Sequence, residues 1–445
     1  MKVSVMGTGY VGLVSGVCLA EKGHEVVCVD IDETKIEKIN NGIPPIYEAG
    51  LEDLLKKNAG TRLNATADLR ASVIESDLSL IAVGTPFDGE LIDLTYIKTV
   101  SRQIGEALRE KDGYHVVIVK STVVPRTTDD VVLPILEAAS GKKAGVDFGV
   151  GMNPEFLREG EAIDDFMHPD RIVLGGVDDR THEVLEELYA PFKGVDVLKT
   201  NNSTAEMIKY TSNSLLATLI SFSNEIGNLC ASIGGIDAID VVKGVHLDKR
   251  FSPILEDGTR IVPGFTSYIE AGCGFGGSCF PKDVKALIAH GPRVGEPMQL
   301  LDAVIDINRK QPQQMLDRLI KHFPSVKDVP VAVLGLAFKP GTDDMRESPA
   351  IPVVKWLQQH GAKIKAYDPV ARHEAEEVFG RSGIEYCNKV SSTIEGVEVI
   401  MLITCWDDFK EIPRLLEGQD KQPLIIDGRR MIDKRSVVRY EGIGL

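Results

Sequence analysis

The sequence predicts an α/β protein with two doubly wound domains joined by a central helical segment. A strand, a glycine turn and a helix open the chain, and the same pattern returns after residue 325. A long stretch with helical spacing separates the two halves. Because 445 residues exceed what one ordinary core can organise, we expect three domains, over residues 1–200, 201–310 and 325–445.

The first thirty residues contain a dinucleotide-binding pattern. The strand "KVSVMG" leads into "GTGYVG", which supplies Gly7, Gly9 and Gly12, and a helical stretch and the strand "EVVCVD" follow. A glycine turn between a strand and a helix lets a pyrophosphate approach the backbone, as in Rossmann domains. Asp30 ends the second strand, where its carboxylate would bind ribose hydroxyls and repel a 2′-phosphate. The first domain is therefore predicted to bind NAD rather than NADP.

Two further strand ends are expected to face the cofactor. They lie in "LSLIAVGTP" and "HVVIVKST", and ligands of open α/β sheets bind beyond the carboxyl ends of the strands. The complete set of predicted cofactor-binding residues is Gly7, Gly9, Tyr10, Val11, Gly12, Asp30, Lys35, Thr85, Pro86 and Thr122.

The C-terminal part repeats this pattern with different chemistry at the strand ends. "VPVAVLGLAFKP" keeps Gly335 but loses the other glycines, and "GAKIKAYDP" ends on Asp368. Cations stand at or just after the strand ends, namely Lys339, Arg346, Arg429 and Arg430. A domain that loses the glycine cradle and gains cations is expected to bind a different phosphate ligand through charge.

The stretch "AGCGFGGSCFPKD" predicts a nucleophilic cysteine. Pro281 suits the first turn of a helix, which places Cys279 at the helix N-terminus, where the partial positive charge and Lys282 both favour a thiolate. The glycines around it remove side chains that would keep another molecule away from the backbone. The alternative is a tight turn with an incidental buried cysteine. The other six cysteines are expected to be buried or unremarkable thiols.

A central segment from about residue 203 to 245 shows helical spacing. Ser203 or Thr204 is expected to cap its start, with Glu206 in the first turn. Lys209 and Asn213 are four residues apart and therefore share one helical face, as a functional pair or as part of a solvated surface. The apolar residues suffice for packing between domains and across a subunit interface, and 246–270 is predicted to be an irregular loop.

Bulk properties exclude several classes of protein. A net charge of −16 disfavours nonspecific nucleic-acid binding, so an anionic substrate needs a locally basic site. There is no apolar run of membrane-spanning length and no signal-peptide pattern. Seven cysteines without a CxxC pair argue against a disulfide framework and a zinc site, so we expect no metal and a reducing, cytoplasmic compartment.

Motifs along nearly the whole chain resemble those of the nucleotide-sugar 6-dehydrogenases, the UDP-glucose/GDP-mannose dehydrogenase family. In order they are "GTGYVG", "NPEFLREG", "DRIVLGG", "AEMIKYTSN", "GFGGSCFPKD", "LGLAFKPGTDDMRESPA" and "DGRR". The resemblance implies oxidation of a sugar CH2OH to a carboxylate with two NAD+, by a homodimer or higher homo-oligomer. Cys279 would capture the intermediate aldehyde as a thiohemiacetal, which is oxidised to a thioester and hydrolysed.

The resemblance also implies roles for single residues. Lys209 and Asn213 would stabilise oxyanions and orient water, and Asp283 would assist proton transfer. Glu159 and Thr122 would lie near the reacting carbon; Glu155 is a second candidate for the base, and the sequence does not rank the two glutamates. Implied contacts to the substrate are Glu155, Phe156, Leu157, Lys209, Asn213, Arg250, Arg260, Phe275, Gly276, Lys339 and Arg430, which is preferred over Arg429.

One departure from the family pattern and two alternatives remain. The family has a short "DxRIG" segment whose arginine reaches a neighbouring subunit, whereas here Arg250 and Arg260 stand among additional residues and either or neither fills that role. Phe280 favours UDP-glucose as the substrate, because GDP-mannose 6-dehydrogenases typically have leucine at the corresponding position. An inactive nucleotide-sugar-binding protein would have lost Cys279, Lys209 or Asp283, and all three are present.

Overall fold

A computed structural model describes residues 1–445, which separate into two compact units, Met1–Ser212 and Asn213–Leu445. The strands of the first unit are β1 (Lys2–Met6), β2 (Glu25–Val29), β3 (Leu63–Thr66), β4 (Leu78–Ile81), β5 (Val116–Val119), β6 (Gly149–Met152), β7 (Arg171–Gly176) and β8 (Asp196–Thr200). Its helices are α1 (Tyr10–Glu21), α2 (Glu33–Asn40), α3 (Leu51–Asn58), α4 (Leu69–Glu75), α5 (Thr95–Glu110), α6 (Leu133–Ser140), α7 (Ala162–Met167) and α8 (Asp179–Tyr189). A short π-helix, Thr128–Val132, precedes α6.

The boundary between the units falls within α9 (Asn202–Ile233), and the second unit continues through a further set of helices and strands. Its helices are α10 (Ala238–His246), α11 (Phe280–His290), α12 (Gln299–Lys310), α13 (Gln313–His322), α14 (Ala350–Gln359), α15 (Arg372–Phe379), α16 (Val390–Ile394) and α17 (Ile412–Leu416). Its strands are β9 (Pro330–Leu334), β10 (Lys363–Tyr367), β11 (Ile384–Tyr386), β12 (Val399–Leu402), β13 (Leu424–Asp427) and β14 (Tyr440–Gly442).

Each unit contains one doubly wound sheet. The first has the strand order β3-β2-β1-β4-β5-β6-β7-β8, and the second has β11-β10-β9-β12-β13-β14. All pairs are parallel except β6 with β7. In both sheets the order of the strands reverses at the first strand, β1 or β9, and this switch point opens a crevice at the carboxyl ends of the strands. The predicted α/β fold class and its internal repeat are confirmed.

The cores explain why the strands are nearly uninterrupted apolar runs. Val3 and Val5 of β1 belong to one buried cluster, whereas Met6 belongs to another on the opposite face of the sheet. In β9, Val331 and Leu334 divide between two clusters in the same way. A parallel sheet covered by helices on both faces buries both sets of side chains.

The central helical stretch differs in detail from the prediction. It forms two helices, because the chain turns at Gly234 and Gly235, which both have positive φ. The start of α9 is capped by Asn201, whose side-chain oxygen accepts the N–H of Thr204 at 2.8 Å, and not by Ser203 or Thr204. The predicted loop 246–270 is largely irregular from residue 247 onward, apart from a 3₁₀ turn at Gly264–Tyr268. No helix of the chain combines the length and the apolarity that crossing a membrane requires.

The first glycine turn is tightly packed at one glycine and open at another. A Cβ atom added to Gly12 would lie 1.9 Å from the carbonyl oxygen of Gly7, whereas one added to Gly9 would meet nothing within 4 Å. Gly9 has φ −67° and ψ −173°, which any residue adopts. Gly12 is therefore required by the packing of α1 against the turn, and Gly9 is not required by the fold.

We predict that Gly12→Ala destabilises the protein and that Gly9→Ala does not. Overpacking of this kind costs about 2–3 kcal/mol, which corresponds to a melting temperature lower by roughly 4–10 °C. Thermal unfolding followed by circular dichroism measures both variants, and equal melting temperatures for the two would contradict this account of the turn.

Candidate active site

The glycine turn of the first unit forms a cradle at the start of α1. Gly7, with φ 97°, donates its N–H to Val29 O at 2.8 Å and turns the chain into the helix. The backbone N–H of Thr8 donates to Asp30 at 2.8 Å. Burial opposes ionisation of Asp30, but the hydrogen bonds from Thr8 and from the N–H of Asp32 outweigh it and lower the pKa of the carboxyl. The structure thus places an ionised carboxylate beside the N-terminus of α1.

The remaining predicted cofactor residues surround this turn and the next strand ends. The hydroxyl of Thr85, after β4, donates to the carbonyl oxygen of Thr122, after β5, at 2.8 Å. These two loops are therefore fixed to each other at the crevice. Three further predicted residues, Tyr10, Val11 and Lys35, are half-buried. Pro86 is exposed.

A carboxylate that was not predicted to contact this crevice holds the loop after Thr122. Glu206 of α9 is fully buried and accepts the N–H of Arg126 at 2.6 Å, and the N–H and hydroxyl of Thr128 at 2.8 and 2.7 Å. Burial raises the pKa of Glu206 to about 7, although these hydrogen bonds favour the charged form. Glu206 thus anchors the loop to α9, where the sequence had suggested only a residue of the helix start.

The segment after β6 contains the two candidate glutamates, both buried. Glu155 forms an ion pair with Lys120 at 2.9 Å and accepts the backbone N–H groups of Phe156 and Leu157 at 2.6 and 2.8 Å. Lys120 also donates to Asn153 at 3.0 Å. Burial opposes the charge of Lys120, but Glu155 and Tyr189 outweigh it and raise its pKa. Lys120 is a partner of the site that the sequence motifs left unassigned.

Phe156 brings the glutamate segment to the first predicted catalytic cation. The ammonium of Lys209 lies 5.3 Å from the centre of the Phe156 ring, and the Arg171 guanidinium lies 4.0 Å from it. The side chain of Lys209 is buried, so its charge acts in a site with little water. The first unit therefore places Lys209 over Phe156, the residue that directly follows Glu155.

In the second unit, Cys279 lies at the N-terminus of α11. It is the N-cap residue, its carbonyl oxygen accepts the N–H of Asp283 at 2.9 Å, and its thiol lies 3.6 Å from the Ser278 hydroxyl. The thiol is partly exposed, whereas burial raises the pKa of the nearby Cys273 thiol. Cys405 differs from the expectation, because it lies beyond β12 and is exposed.

A polar cluster accompanies Cys279 on the first turn of α11. Asp283 is 1% exposed and accepts the side-chain amide of Asn213 at 2.6 Å and the ammonium of Lys282 at 2.5 Å. Asn213 follows Lys209 by one turn of α9. The cluster can hold water and move a proton beside the thiol.

The glycines before Cys279 serve a purpose that the sequence did not predict. A Cβ atom added to Gly276 would lie 2.3 Å from the Glu347 carbonyl oxygen, and one added to Gly277 would lie 2.7 Å from the Phe338 ring. They permit close packing against the chain's own loop after β9, so they do not simply leave space for another molecule. Phe275, also a predicted contact, is held by Asn308, whose side-chain oxygen accepts its N–H at 2.8 Å.

The two arginines after β13 have different environments. The guanidinium of Arg430, which was preferred as a nucleotide contact, is buried, pairs with Asp237 at 2.9 Å and donates to Ile443 O at 2.9 Å. Arg429 is half-buried, donates its Nε to Ile403 O at 2.7 Å and lies beside Gly272 of the cysteine loop. The structure therefore places Arg430 in an internal ion pair with Asp237, a carboxylate that Lys434 also contacts at 2.9 Å.

The other cationic side chains predicted to contact the substrate lie in loops. The ammonium of Lys339 lies 6.0 Å from the centre of the Phe338 ring. Arg260 donates to the carbonyl oxygens of Leu247 and Ser252, both at 2.9 Å, and so holds its own loop together. Arg250 is exposed and pairs with Asp248. In residues 1–445 no group of three or more His, Cys, Asp and Glu side chains is arranged to ligate a metal ion.

Comparison with protein families assigns all three parts of the chain. Models of the UDP-glucose/GDP-mannose dehydrogenase family match its NAD binding domain to residues 1–193, its central domain to 203–310 and its UDP binding domain to 332–434. The first unit is thus an NAD-binding domain of this family.

Individual relatives and a solved structure agree. UDP-glucose 6-dehydrogenase AglM of Haloferax volcanii is 42% identical over 448 residues, covering 100% of both chains. UDP-glucose 6-dehydrogenase TuaD of Bacillus subtilis is 45% identical over 97% of this chain and 89% of its own. GDP-mannose 6-dehydrogenase of Pseudomonas aeruginosa is 43% identical over 83% and 81%. The solved structure of a UDP-glucose dehydrogenase from Pyrobaculum islandicum has a TM-score of 0.89 at 37% identity, covering 100% and 97%. The chain therefore belongs to the UDP-glucose/GDP-mannose dehydrogenase family and is an oxidoreductase that uses NAD.

Proposed function

We propose that this protein oxidises the sugar C6 hydroxymethyl group of UDP-glucose to a carboxylate, with Cys279 as a covalent nucleophile. The observation that carries this proposal is the partly exposed Cys279 thiol at the N-terminus of α11, beside the Asn213–Asp283–Lys282 cluster. A helix N-terminus and a neighbouring ammonium both favour a thiolate. The UDP binding domain of the family, matched over 332–434, supports a UDP-sugar substrate.

The first unit has the features that NAD requires. The N-terminus of α1 favours the pyrophosphate, and the open space at Gly9 lets it approach the backbone. Asp30 would accept hydrogen bonds from the adenosine ribose, and Thr85 and Thr122 lie at the neighbouring strand ends. When bound, NAD+ accepts a hydride from the carbon being oxidised.

The proposed reaction has four steps. Loss of a hydride and of the hydroxyl proton converts the alcohol to an aldehyde. The Cys279 sulfur then bonds to the aldehyde carbon and forms a thiohemiacetal, and loss of a second hydride gives a thioester. Attack by water breaks the carbon–sulfur bond and releases the acid and the thiolate. The balance is RCH2OH + 2 NAD+ + H2O → RCOO− + 2 NADH + 3 H+.

Each polar residue has a proposed part in these steps. The Lys209 ammonium stabilises the alkoxide and the tetrahedral oxyanions, since a fixed cation needs little reorganisation in a dry site. Asn213, held by Asp283, orients water, and Asp283 takes up and returns its proton. A glutamate of segment 155–159 serves as the base for the hydroxyl proton. Both glutamates remain candidates, although Glu155 is already paired with Lys120.

For the nucleotide diphosphate, we propose Lys339 and Arg429 as the contacts. We propose Arg429 in preference to Arg430, because the guanidinium of Arg430 already binds Asp237 and the carbonyl oxygen of Ile443. The names of the two relatives at 42% and 45% identity support UDP-glucose, as does Phe280. GDP-mannose is the second candidate, because a GDP-mannose 6-dehydrogenase shares 43% identity.

We further propose that two copies of the chain associate through α9. Exposed apolar residues recur on its C-terminal part every seven residues, with Leu215, Phe222 and Leu229 being 58%, 54% and 54% exposed. A seven-residue spacing places these side chains on one stripe of the helix. Of the two loop arginines we propose Arg250 to reach a second subunit, because its side chain is exposed although it pairs with Asp248, whereas Arg260 binds its own loop. We also propose that the chain forms three domains, over residues 1–200, 201–310 and 325–445, and that the protein is located in the cytoplasm.

We predict that one UDP-glucose yields two NADH and that Cys279→Ala loses acid formation by at least about 1000-fold while still binding the nucleotide sugar. The measurement is NADH release with limiting sugar, over a panel of UDP-glucose, GDP-mannose and UDP-N-acetyl sugars. Cys405→Ser, at the exposed thiol, is the matched control with full activity expected. A yield of one NADH per sugar, or two-step turnover by Cys279→Ala, would overturn the thioester route.

We predict a strong preference for NAD over NADP in kcat/KM that Asp30→Ala weakens by about tenfold or more, because the carboxylate repels the 2′-phosphate. Steady-state kinetics with both cofactors measures the ratio, and Asp53→Ala on the exposed side of α3 is the control. Equal efficiency of the unmodified protein with NAD and NADP would contradict the role of Asp30.

We predict that the double substitution Phe222→Glu/Leu229→Glu shifts the protein to a smaller assembly, since charges replace the proposed apolar contact. Light scattering after size-exclusion chromatography measures the mass. Val438→Glu, at an apolar residue that is 79% exposed outside α9, is the control. An unmodified protein that is monomeric at micromolar concentration would exclude this interface.

A further inference from the structure

Glu48 is a buried carboxylate to which neither the motifs nor the proposed reaction assigns a role. It lies in the irregular segment between α2 and α3 and is 6% exposed. One carboxylate oxygen accepts the N–H of Ala162 at 2.8 Å. The other accepts the N–H of Gly160 at 2.7 Å and the hydroxyl of Tyr10. Both oxygens are thus occupied by donors from two other parts of the chain.

These donors connect the cofactor turn to the glutamate segment. Tyr10 is the first residue of α1, directly after Gly9 of the glycine turn. Gly160 directly follows Glu159, and its N–H also lies 3.3 Å from the Tyr10 hydroxyl. Ala162 is the first residue of α7, whose own N-cap residue Glu161 provides no side-chain cap. Glu48 therefore supplies the acceptors that the end of this segment lacks.

The electrostatics place the Glu159 side chain in the same cluster. Burial raises the pKa of Tyr10, and the hydrogen bond to Glu48 and the charges of Glu48 and Glu159 raise it further. The hydroxyl of Tyr10 thus stays protonated and donates to Glu48. Glu159 is itself buried, so a small displacement of its backbone would change which groups its carboxylate reaches.

We propose that Tyr10 and Glu48 are positioning residues that hold segment 155–159 at a fixed distance from the glycine turn. The catalytic carboxylate of that segment then meets the substrate beside the cofactor. This inference rests on the proposed function of that segment. A carboxylate is needed because both of its oxygens accept backbone N–H groups. Glutamine would turn an NH2 group toward one of them in either orientation.

The test compares Tyr10→Phe, Glu48→Gln and the double variant with matched controls. Tyr47→Phe changes an adjacent tyrosine that is 45% exposed, and Glu52→Gln changes an exposed glutamate of α3. Hydrogen–deuterium exchange reports on the amides of Gly160 and Ala162 directly, and kcat and the Kd of NADH are measured on the same preparations. Glu155→Gln and Glu159→Gln are assayed beside them.

We expect amide exchange at Gly160 and Ala162 to rise roughly tenfold in Glu48→Gln and less in Tyr10→Phe, because local opening becomes easier. We expect kcat to fall about tenfold in Glu48→Gln with the Kd of NADH within about twofold, and the double variant to be no slower, since the two residues act as one unit. The controls stay at wild-type values.

Two results would overturn the inference: unchanged exchange at both amides, or full kcat in Tyr10→Phe and Glu48→Gln while a segment glutamate variant is slow. The second result leaves the proposed function intact. If Glu159→Gln keeps full activity while Glu48→Gln is slow, the role of Glu159 is wrong, and the positioning inference stands with Glu155 as the carboxylate held.

Discussion

Carboxylates that accept backbone N–H groups hold the loops of this protein in place. An irregular loop at the end of a parallel strand has amides without partners, and leaving them unpaired away from water is costly. In the first unit, Asp30 accepts from Thr8, Glu206 from Arg126 and Thr128, and Glu48 from Gly160 and Ala162. The candidate active site is thus built on acceptors supplied by side chains remote in the sequence.

The corresponding carboxylates of the two sheets differ in the number of hydrogen bonds that they accept. Asp368 of the second sheet corresponds to Asp30, but its two oxygens accept four backbone N–H groups and the Trp406 indole N–H. A carboxylate occupied in this way has little capacity left for ribose hydroxyls. Asp30, which accepts from Thr8 and Asp32, retains that capacity. The two sheets, which share one fold, therefore differ in how far the carboxylate at the end of the second strand is already occupied.

The sequence was informative where structure is local. The glycine turn, the strand ends and the helix after Cys279 follow from residues close together in the chain, so their patterns predicted them. The contacts of Glu48 with Gly160, of Glu206 with Thr128 and of Arg430 with Asp237 each join residues at least 78 positions apart, and no local pattern carries that information. The antiparallel β7 and the packing role of Gly276 were missed for the same reason.

Charge compensation inside the second unit narrows the cations that can meet an anionic substrate. With a net charge of −16, the protein needs a locally basic site. Four cations follow the strand ends of this unit; Arg346 pairs with Asp344, and Arg430 shares the carboxylate of Asp237 with Lys434. An arginine already paired contributes little net attraction, because its partner's charge cancels its own field at a distance. Arg429 lies beside Gly272 of the cysteine loop, so in the proposed reaction the placement of a cation beside that loop, and not the number of cations in the unit, would make the site basic.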